Sequence, residues 1–273
     1  MTNRMRKPLR IALIGWGAIN QRVAALLAGS PNAADIAIAA IGVRSPARAQ
    51  DIPAGAALIS DPGQLGGLEL DLVVEAAGRE AVAIWGEAAL HAAPAFVPAS
   101  TSALTDAALL ERLLQTAEAC GSQLILPPGA LAGIDAIAAA SVLPLDEVVH
   151  SIVKPPAAWR GTPAEELVAL DALSAPATFF TGSAREAASR FPQNANVAVI
   201  SALAGIGLDR TRVELVADPG VAMNRHRLRV SGAFGRLEAV IENRPLADNP
   251  KSSEMAALSL VRAIRNRISL LSQ

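Results

Sequence analysis

The sequence contains few of the side chains that most often carry redox or acid-base chemistry. Among 273 residues there is one cysteine, Cys120, so neither an intrachain disulfide nor a cysteine-based zinc cluster can form. No tyrosine is present, which excludes enzymes that use a tyrosine hydroxyl as their acid. Only three histidines occur, His91, His150 and His226. If an imidazole performs acid-base work near neutral pH, it is therefore one of these three.

Long apolar runs and an excess of either charge are also missing. The longest apolar segments, such as residues 36–43, are too short for a membrane span and suit buried strands. The net charge is −1 with both signs mixed, which gives no general attraction to nucleic acid or acidic lipid. The basic first residues lead into a strand-like segment rather than a signal-peptide core. We therefore expect a cytoplasmic protein without nucleic-acid or membrane partners, and we expect no metal site.

The first half of the chain alternates apolar strands with helical patterns. Hydrophobic residues make up 52% of the sequence and aromatics only 3%, so the core is built mainly from Ala, Leu, Val and Ile. The patterns predict strands over residues 9–14, 36–43, 57–59, 70–76, 95–98 and 123–126, and helices over 19–28, 80–91 and 105–119. Nearly continuous apolar strands between helices are typical of a parallel sheet covered on both faces.

The pattern changes after Pro127-Pro128-Gly129. Helices are predicted over residues 134–143, 163–173, 183–190, 196–203 and 253–270, and strands with period-two alternation over 148–154, 213–217, 225–230 and 236–242. Alternation indicates one covered and one wet face, typical of antiparallel or mixed sheets. We therefore predict an α/β protein: a Rossmann dinucleotide-binding domain (1–127, completed by the C-terminal helix 250–273) and an α+β substrate and dimerisation domain (128–249).

A glycine-rich turn follows the first predicted strand. In Gly15-x-Gly17-x-x-Asn20, the first glycine suits a tight turn and the second lets the backbone approach a pyrophosphate at the helix N-terminus. Asn20 stands where the usual fingerprint has a third glycine, and the alternative is an ordinary strand-to-helix turn. The position of the motif, before a second strand at the right distance, favours dinucleotide binding.

The end of the second predicted strand bears on the choice between NAD and NADP. An acidic residue there would accept a hydrogen bond from the ribose 2′-hydroxyl and repel a 2′-phosphate, but this chain has Arg44. The guanidinium of Arg44 could stack on adenine or pair with a 2′-phosphate, or it could be a solvated loop arginine. We expect either NAD or NADP as cofactor, with NADP at least tolerated.

Segments spread along nearly the whole chain resemble the L-aspartate dehydrogenase family. They are Gly15-Trp16-Gly17-Ala18-Ile19, Val73-Val74-Glu75-Ala76-Ala77, Ser102-Ala103-Leu104-Thr105-Asp106, Pro128-Gly129-Ala130-Leu131-Ala132-Gly133-Ile134-Asp135, Lys154-Pro155-Pro156, Phe180-x-Gly182-x-Ala184, Phe191-Pro192-x-Asn194-x-Asn196-Val197, Asn224-x-His226, Gly232-x-Phe234-Gly235, Glu242-Asn243-x-Pro245 and Asn249-Pro250-Lys251-Ser252-Ser253. The glycine loop is generic. The segments with His226 and with Asn-Pro-Lys, in this order, are more specific.

The resemblance implies a dimeric enzyme that oxidises L-aspartate with NAD or NADP to iminoaspartate. That product hydrolyses to oxaloacetate and ammonia or feeds NAD biosynthesis. By resemblance, His226 matches the catalytic histidine, Asn196 a cofactor-contacting asparagine and Ala130 a residue whose backbone amide meets the cofactor. The residues that we assign to cofactor binding are Gly15, Gly17, Ala18, Ile19, Arg44, Ala77, Ala130 and Asn196.

The strand pattern around His226 supports a site role independently of the resemblance. Asn224, His226 and Leu228 share one face, whereas the intervening arginines share the other, which is wet. His226 therefore points to the covered side of the sheet beside Asn224, another polar residue. The alternative is a hydrogen-bonded histidine of the core without a role in a site. His91 is interpreted as structural at a helix end. His150 is interpreted as a packed, hydrogen-bonded histidine, with a site role as the alternative.

A dicarboxylate substrate needs cations or N–H donors to hold it. We assign Asn224, Lys251 and Ser252 to substrate binding, because Lys251 precedes the last helix and Ser252 and Ser253 could cap it and add donors. The alternative for this segment is a plain helix cap beside a solvated lysine. Lys154 and Arg160 are weaker candidates for the same task. Two other functions stay open: a dehydrogenase for another small amino or hydroxy acid, and a non-catalytic dinucleotide sensor.

Overall fold

The computed structural model describes residues 7–247 and 249–271, without the side chains of Arg48, Gln193, Pro250 and Lys251. The chain forms two compact units. One comprises residues up to Pro127 together with those from Ala257 onward, and the other comprises Pro128–Ala256. Among the described residues, no helix is both long and apolar enough to cross a membrane.

The first unit is built on a six-stranded parallel sheet. Its elements are β1 (Leu9–Ile14), α1 (Ala18–Ala28), β2 (Ile36–Gly42), β3 (Ala57–Ile59), β4 (Leu72–Glu75), α2 (Arg79–Ala92), β5 (Ala95–Pro98), α3 (Ala107–Cys120) and β6 (Gln123–Leu124). The strand order is β3-β2-β1-β4-β5-β6, and every neighbouring pair is parallel. The prediction of a doubly covered parallel sheet is confirmed. The order reverses between β1 and β4, where sheets of this type bind ligands beyond the strands' carboxyl ends.

The second unit is built on a five-stranded mixed sheet. Its elements, with the final helix, are α4 (Ile134–Ala140), β7 (Leu145–Lys154), α5 (Ala164–Leu167), β8 (Ala177–Ser183), α6 (Ala184–Arg190), α7 (Ala195–Ala204), β9 (Arg212–Ala217), β10 (Asn224–Gly232), β11 (Gly235–Asn243), β12 (Pro245–Leu246), β13 (Asn249–Ser253) and α8 (Glu254–Arg265). The order is β11-β10-β7-β9-β8, in which only β7 and β9 are parallel. The change to alternating strands after residue 127 therefore correctly predicts a different kind of sheet.

The two faces of the second sheet differ in polarity, as the alternation on β10 predicts. Leu228 and Val230 pack with Ile137 of α4 and Ile200 of α7 in one apolar cluster. The opposite face carries ion pairs that join the β10 arginines to glutamates on neighbouring strands: Arg225–Glu242, Arg227–Glu238 and Arg229–Glu214. His226 is buried on the apolar face.

Helix α8 packs its apolar stripe into the core of the first unit. Ala257, Leu260 and Ile264 are buried in one cluster with residues of β1 and α1, including Leu13 and Val23. Burying Leu260 and Ile264 alone contributes several kcal/mol, since each large aliphatic side chain contributes roughly 1.5–3 kcal/mol. The residues of α8 from Ala257 onward are therefore part of the first unit's core.

One predicted helix is wrong. The segment 163–173 is expected to be a single helix, but α5 ends after four residues at Leu167, and Val168 takes an extended conformation with φ −151° and ψ 140°. A single 3-10 turn at Leu170–Ala172 follows. A β-branched valine restricts the helical rotamers, and a nucleus of four residues gains too few hydrogen bonds to continue through it.

Candidate active site

The glycine turn after β1 has a conformation that requires glycine. Gly15 has φ +91°, in the left-handed region, and its N–H donates to the Gly42 carbonyl oxygen at 2.7 Å. A Cβ at Gly15 would lie 2.6 Å from the Cβ of Ala77, closer than two carbons can approach. A Cβ at Gly17, in contrast, would meet no described heavy atom within 4 Å. The turn is therefore closed on the protein side and open on the side where a ligand would lie.

Asn20 replaces the third glycine of the fingerprint and stabilises the turn with its side chain. Its buried Nδ2 donates to the carbonyl oxygens of Ile14 at 2.9 Å and Gly15 at 2.8 Å. Gly17 is the N-cap of α1, and among the described side chains none caps this helix end and none in its first turn is acidic. The first N–H groups of a helix, here including those of Ala18 and Ile19, lack intrahelical acceptors. They can therefore bind an anion.

The turn lines a cavity of about 540 Å³ at the carboxyl ends of the parallel strands. Four of the residues assigned to cofactor binding line it, namely Gly15, Gly17, Arg44 and Ala77, together with Val43, Arg79, Ile84 and Trp85. Apolar side chains, an uncapped helix N-terminus and two guanidinium groups fit a dinucleotide, with its flat rings and its phosphates. Arg79 was missed, although a Gly-Arg step directly after a parallel strand was a signal available in the sequence.

A buried carboxylate orders the loop beneath the cavity. Glu75, the last residue of β4, accepts hydrogen bonds from the N–H groups of Ala77 at 2.6 Å and Gly78 at 2.8 Å, and from Ser100 through both its N–H and its hydroxyl. Burial raises the pKa of Glu75, while these hydrogen bonds oppose the shift. Because the Ala77 N–H is already bound to Glu75, Ala77 can contact a cofactor only through its Cβ and its carbonyl group.

In the second unit, His226 belongs to a buried chain of polar groups. Its Nδ1 lies 3.2 Å from Nε2 of His150, and Nδ1 of His150 lies 2.9 Å from Oγ of Ser201. All three side chains are buried. Burial, aided by the positive charge of Lys154, lowers the pKa of His226 to about 3, so the imidazole is neutral at neutral pH. The neutral ring has one nitrogen without a hydrogen, and this nitrogen offers a lone pair.

Lys154 supplies a positive charge on the sheet face that carries His226. Ile152 pairs with His226 across β7 and β10, so Lys154, two residues later, projects to the same side. Its Nζ lies 4.9 Å from the ring centroid of Trp159. Burial lowers the pKa of Lys154 to about 8. Asn224 lies on the same strand face as His226 and is half-buried.

The two remaining cofactor candidates lie in the second unit. Ala130 is buried, and its carbonyl oxygen accepts a hydrogen bond from Nδ2 of Asn243 at 2.9 Å. Asn243 is the last residue of β11 and pairs with Asn224. Asn196 is exposed in the first turn of α7. Asn243 therefore positions Ala130, a role that the sequence alone did not indicate.

The segment before α8 differs from the expectation in its local structure. Lys251 and Ser252 lie on β13, which pairs with β12, and the side chain of Lys251 lies outside the described part of the chain. The hydroxyl oxygen of Ser252 accepts a hydrogen bond from Nδ2 of Asn249 at 3.1 Å. Ser253 accepts from the N–H of Met255 at 3.1 Å, so among the described contacts only the second of the two predicted serine caps is seen.

Comparison with known families assigns both halves of the chain to dehydrogenase models. The model described as "Aspartate dehydrogenase, C-terminal" matches residues 135–267. The model described as "Homoserine dehydrogenase, NAD binding domain" matches residues 15–127. The aspartate dehydrogenase match covers the buried histidines His150 and His226. The homoserine dehydrogenase match covers the glycine turn.

Individual relatives match nearly end to end. An L-aspartate dehydrogenase of Brucella anthropi is 56% identical over 258 residues, which is 94% of this chain and 96% of the relative. One of Ruegeria pomeroyi is 42% identical over 268 residues, covering 95% and 92%. The crystal structure of aspartate dehydrogenase from Thermotoga maritima superimposes with a TM-score of 0.75 at 26% identity, covering 97% of this chain and 99% of that one.

Proposed function

Because the chain belongs to the L-aspartate dehydrogenase family, we propose that it oxidises L-aspartate with NAD or NADP to iminoaspartate, or reduces the imine in the reverse direction. Water then converts iminoaspartate to oxaloacetate and ammonia. One observation carries the proposal beyond the family: a neutral, buried imidazole and an ammonium group share one face of the second sheet. A base beside a cation suits this reaction, because the base can serve the water that attacks the imine and the cation can hold a substrate carboxylate.

The first domain, residues 1–127 with the C-terminal helix 250–273, is proposed to hold the cofactor. Gly15, Gly17, Ala18 and Ile19 would face the pyrophosphate, and Arg44 the adenosine end. Ala77 completes the set in this domain. Ala130 and Asn196, which belong to residues 128–249, are proposed separately as cofactor contacts. When bound, the dinucleotide supplies the acceptor for the hydride that leaves Cα of the substrate. The support is the open glycine turn, the uncapped helix and the cavity that fits a dinucleotide.

His226 is proposed as the general base. The carbon of an imine is attacked by water, which must lose a proton as the new C–O bond forms. The neutral imidazole of His226 offers a lone pair for that proton, and a substrate carboxylate bound beside Lys154 would offset the positive charge that helps to lower the pKa of the ring. In the reverse direction the same ring, once protonated, returns the proton. The role therefore needs an imidazole that is neutral before the substrate is attacked.

Lys154 and Asn224 are proposed to hold the carboxylates of the substrate. A carboxylate beside Lys154 would bind an ammonium that has lost much of its hydration, which strengthens the pair. Asn224 would donate from its amide. Lys251 and Ser252 remain candidates for the second carboxylate.

We also propose that the domain formed by residues 128–249 binds the substrate and forms a homodimer. The enzyme is proposed to work in the cytoplasm, where its iminoaspartate would be available for NAD biosynthesis. The small-molecule substrate follows from the family. The dimer rests on the resemblance, and light scattering of the purified protein measures it directly.

The test is an initial-rate assay of the purified protein with NAD and NADP in parallel. L-aspartate is compared with a panel of small amino acids and hydroxy acids, and the rate is read at the absorbance of the reduced nicotinamide. We expect L-aspartate to give the highest kcat/KM. A higher kcat/KM for another member of the panel would assign the enzyme to that substrate. Tight dinucleotide binding without turnover of any substrate would favour a sensor.

A further inference from the structure

We propose that Ser201 and His150 are positioning residues that fix the tautomer of His226, with the proton on Nδ1 and a free lone pair on Nε2. The inference rests on the proposed function in one respect, namely that His226 acts as the base. Neutral histidine has two tautomers, and only a nitrogen without a proton can accept one. A base that is to act through Nε2 must therefore be held in the Nδ1–H form.

Ser201 determines which group donates and which accepts in each hydrogen bond of the chain. Its Oγ lies 3.0 Å from the carbonyl oxygen of Ala198, one turn earlier on α7. A carbonyl oxygen can only accept, so the single hydroxyl proton of Ser201 is donated there. The lone pairs of the Ser201 oxygen remain available to accept a hydrogen bond from His150.

His150 donates a hydrogen bond to Ser201 and accepts one from His226. Its Nδ1 lies 2.9 Å from Oγ of Ser201, and because the serine proton is already used, Nδ1 must carry the hydrogen of this bond. His150 is fully buried, and burial together with the neighbouring His226 lowers its pKa well below the ordinary range, so it holds only one ring proton. With that proton on Nδ1, the Nε2 of His150 is left as an acceptor.

His226 is the last member of the chain. Its Nδ1 lies 3.2 Å from Nε2 of His150, an acceptor, so Nδ1 of His226 donates and carries the ring proton. The other nitrogen, Nε2, is then unprotonated, and its lone pair can act as the base. Three separate elements hold the order, because Ser201 lies on α7, His150 on β7 and His226 on β10.

The tautomer can be measured without any enzyme assay. Nitrogen-15 NMR of protein labelled at histidine distinguishes a ring nitrogen with a proton from one without, and His91→Gln and His150→Gln variants assign the three rings. We expect Nε2 of His226 to be unprotonated in the wild type at neutral pH. In S201A we expect a mixture of tautomers at His150 and His226. A wild-type His226 with the proton on Nε2 would overturn the proposal.

A matched control distinguishes the general effect of removing a serine hydroxyl from a helix from the specific effect of breaking the Ser201–His150–His226 hydrogen-bond chain. Ser141 also bonds a carbonyl one turn earlier, that of Ala138 at 2.8 Å, and it is exposed. S141A should leave the imidazole spectra and the kinetics unchanged. S201A should lower kcat by about one to two powers of ten, since part of the effect of a general base is lost, with KM and the Kd of the dinucleotide unchanged. Equal effects of the two variants on spectra and rate would contradict the proposal.

Two variants at His150 compare a replacement that keeps a hydrogen-bond acceptor with one that removes it. In H150Q an amide oxygen can still accept from Nδ1 of His226, whereas H150L offers no acceptor. We expect H150Q to retain a larger share of kcat than H150L when both are folded by circular dichroism. Equal kcat in the two variants would contradict a positioning role. A wild type that has the expected tautomer yet does not turn over L-aspartate would overturn the proposed function and leave the tautomer assignment standing.

Discussion

The ammonium nitrogen of Lys154 lies 4.9 Å from the ring centroid of Trp159, within the range of a cation–π interaction. Trp159 is itself fixed, because its indole N–H donates to the carbonyl oxygen of Val216 at 3.0 Å. The ring therefore holds the cation in place without neutralising its charge. Lys154 is half-buried, and among the described residues no carboxylate is paired with it, so this cation is available to an anionic substrate.

Replacement of Lys154 by methionine should weaken substrate binding. A hydrogen bond to a charged group is worth about 1.5–3 kcal/mol, so KM for L-aspartate should rise by roughly ten- to hundredfold in K154M, with a smaller change in kcat. Steady-state kinetics measure both. R227M is the control, because Arg227 is an exposed cation on the opposite face of the sheet, where it is paired with Glu238. An unchanged KM in K154M would remove Lys154 from the substrate site.

The same lysine should make stability depend on pH. Burial lowers its pKa in the folded protein from 10.5 to about 8, so between these values the unfolded chain binds more protons than the folded one. Lys154 therefore destabilises the fold below pH 8, and this cost disappears as the pH rises toward 10.5. K154M should be the more stable protein at pH 7, by up to about 3 kcal/mol, with the difference shrinking at higher pH.

Urea unfolding of both proteins across this range measures that difference, and the comparison cancels groups that the two proteins share. A difference that grows with pH would have the wrong sign for a buried ammonium.

Arg44 should affect NADP more than NAD. Its guanidinium lines the cavity after β2, where the adenosine end of a dinucleotide is proposed to lie. Pairing with a 2′-phosphate would be lost in R44Q, which should raise the Kd of NADP about tenfold and leave that of NAD nearly unchanged. Fluorescence titration of each cofactor measures this. R79Q reports on the second arginine of the cavity, and a change for NADP in R79Q alone would transfer the role to Arg79.

Asn243 should matter to both stability and cofactor affinity. Its amide is buried and donates to the carbonyl oxygen of Ala130. In N243L that oxygen loses its partner, which should cost about 1–3 kcal/mol of unfolding free energy. If Ala130 contacts the cofactor, the Kd of the dinucleotide should rise as well. Denaturant midpoints and dinucleotide titrations test the two effects separately, and normal values of both would show that this bond is dispensable.

The sequence predicts the sheets and the face of His226, because both depend on local periodicity. The alternation on β10 already separates His226 and Leu228 from Arg225 and Arg227, and the structure confirms that separation. The apolar strands of the first half likewise predict a parallel sheet. Patterns of this kind reflect burial, which is the strongest term in folding.

Contacts between distant segments could not be predicted in the same way. His150 and Ser201 are 51 residues apart, and only the packing of α7 on β7 brings them together. The role of Asn243 depends equally on its tertiary neighbours, among them Ala130. The extended segment at Lys251 was misjudged because its pairing with β12 competes with the helical tendency of the following residues.

The central claim, that His226 is the base of an L-aspartate dehydrogenase, is tested most directly by H226A. The variant should lose about two to four powers of ten in kcat with L-aspartate while the Kd of the dinucleotide stays near the wild-type value. H91A provides the matched control, because His91 is an exposed histidine on α2 that contacts Cys120. Turnover by folded H226A at the rate of H91A would contradict the account.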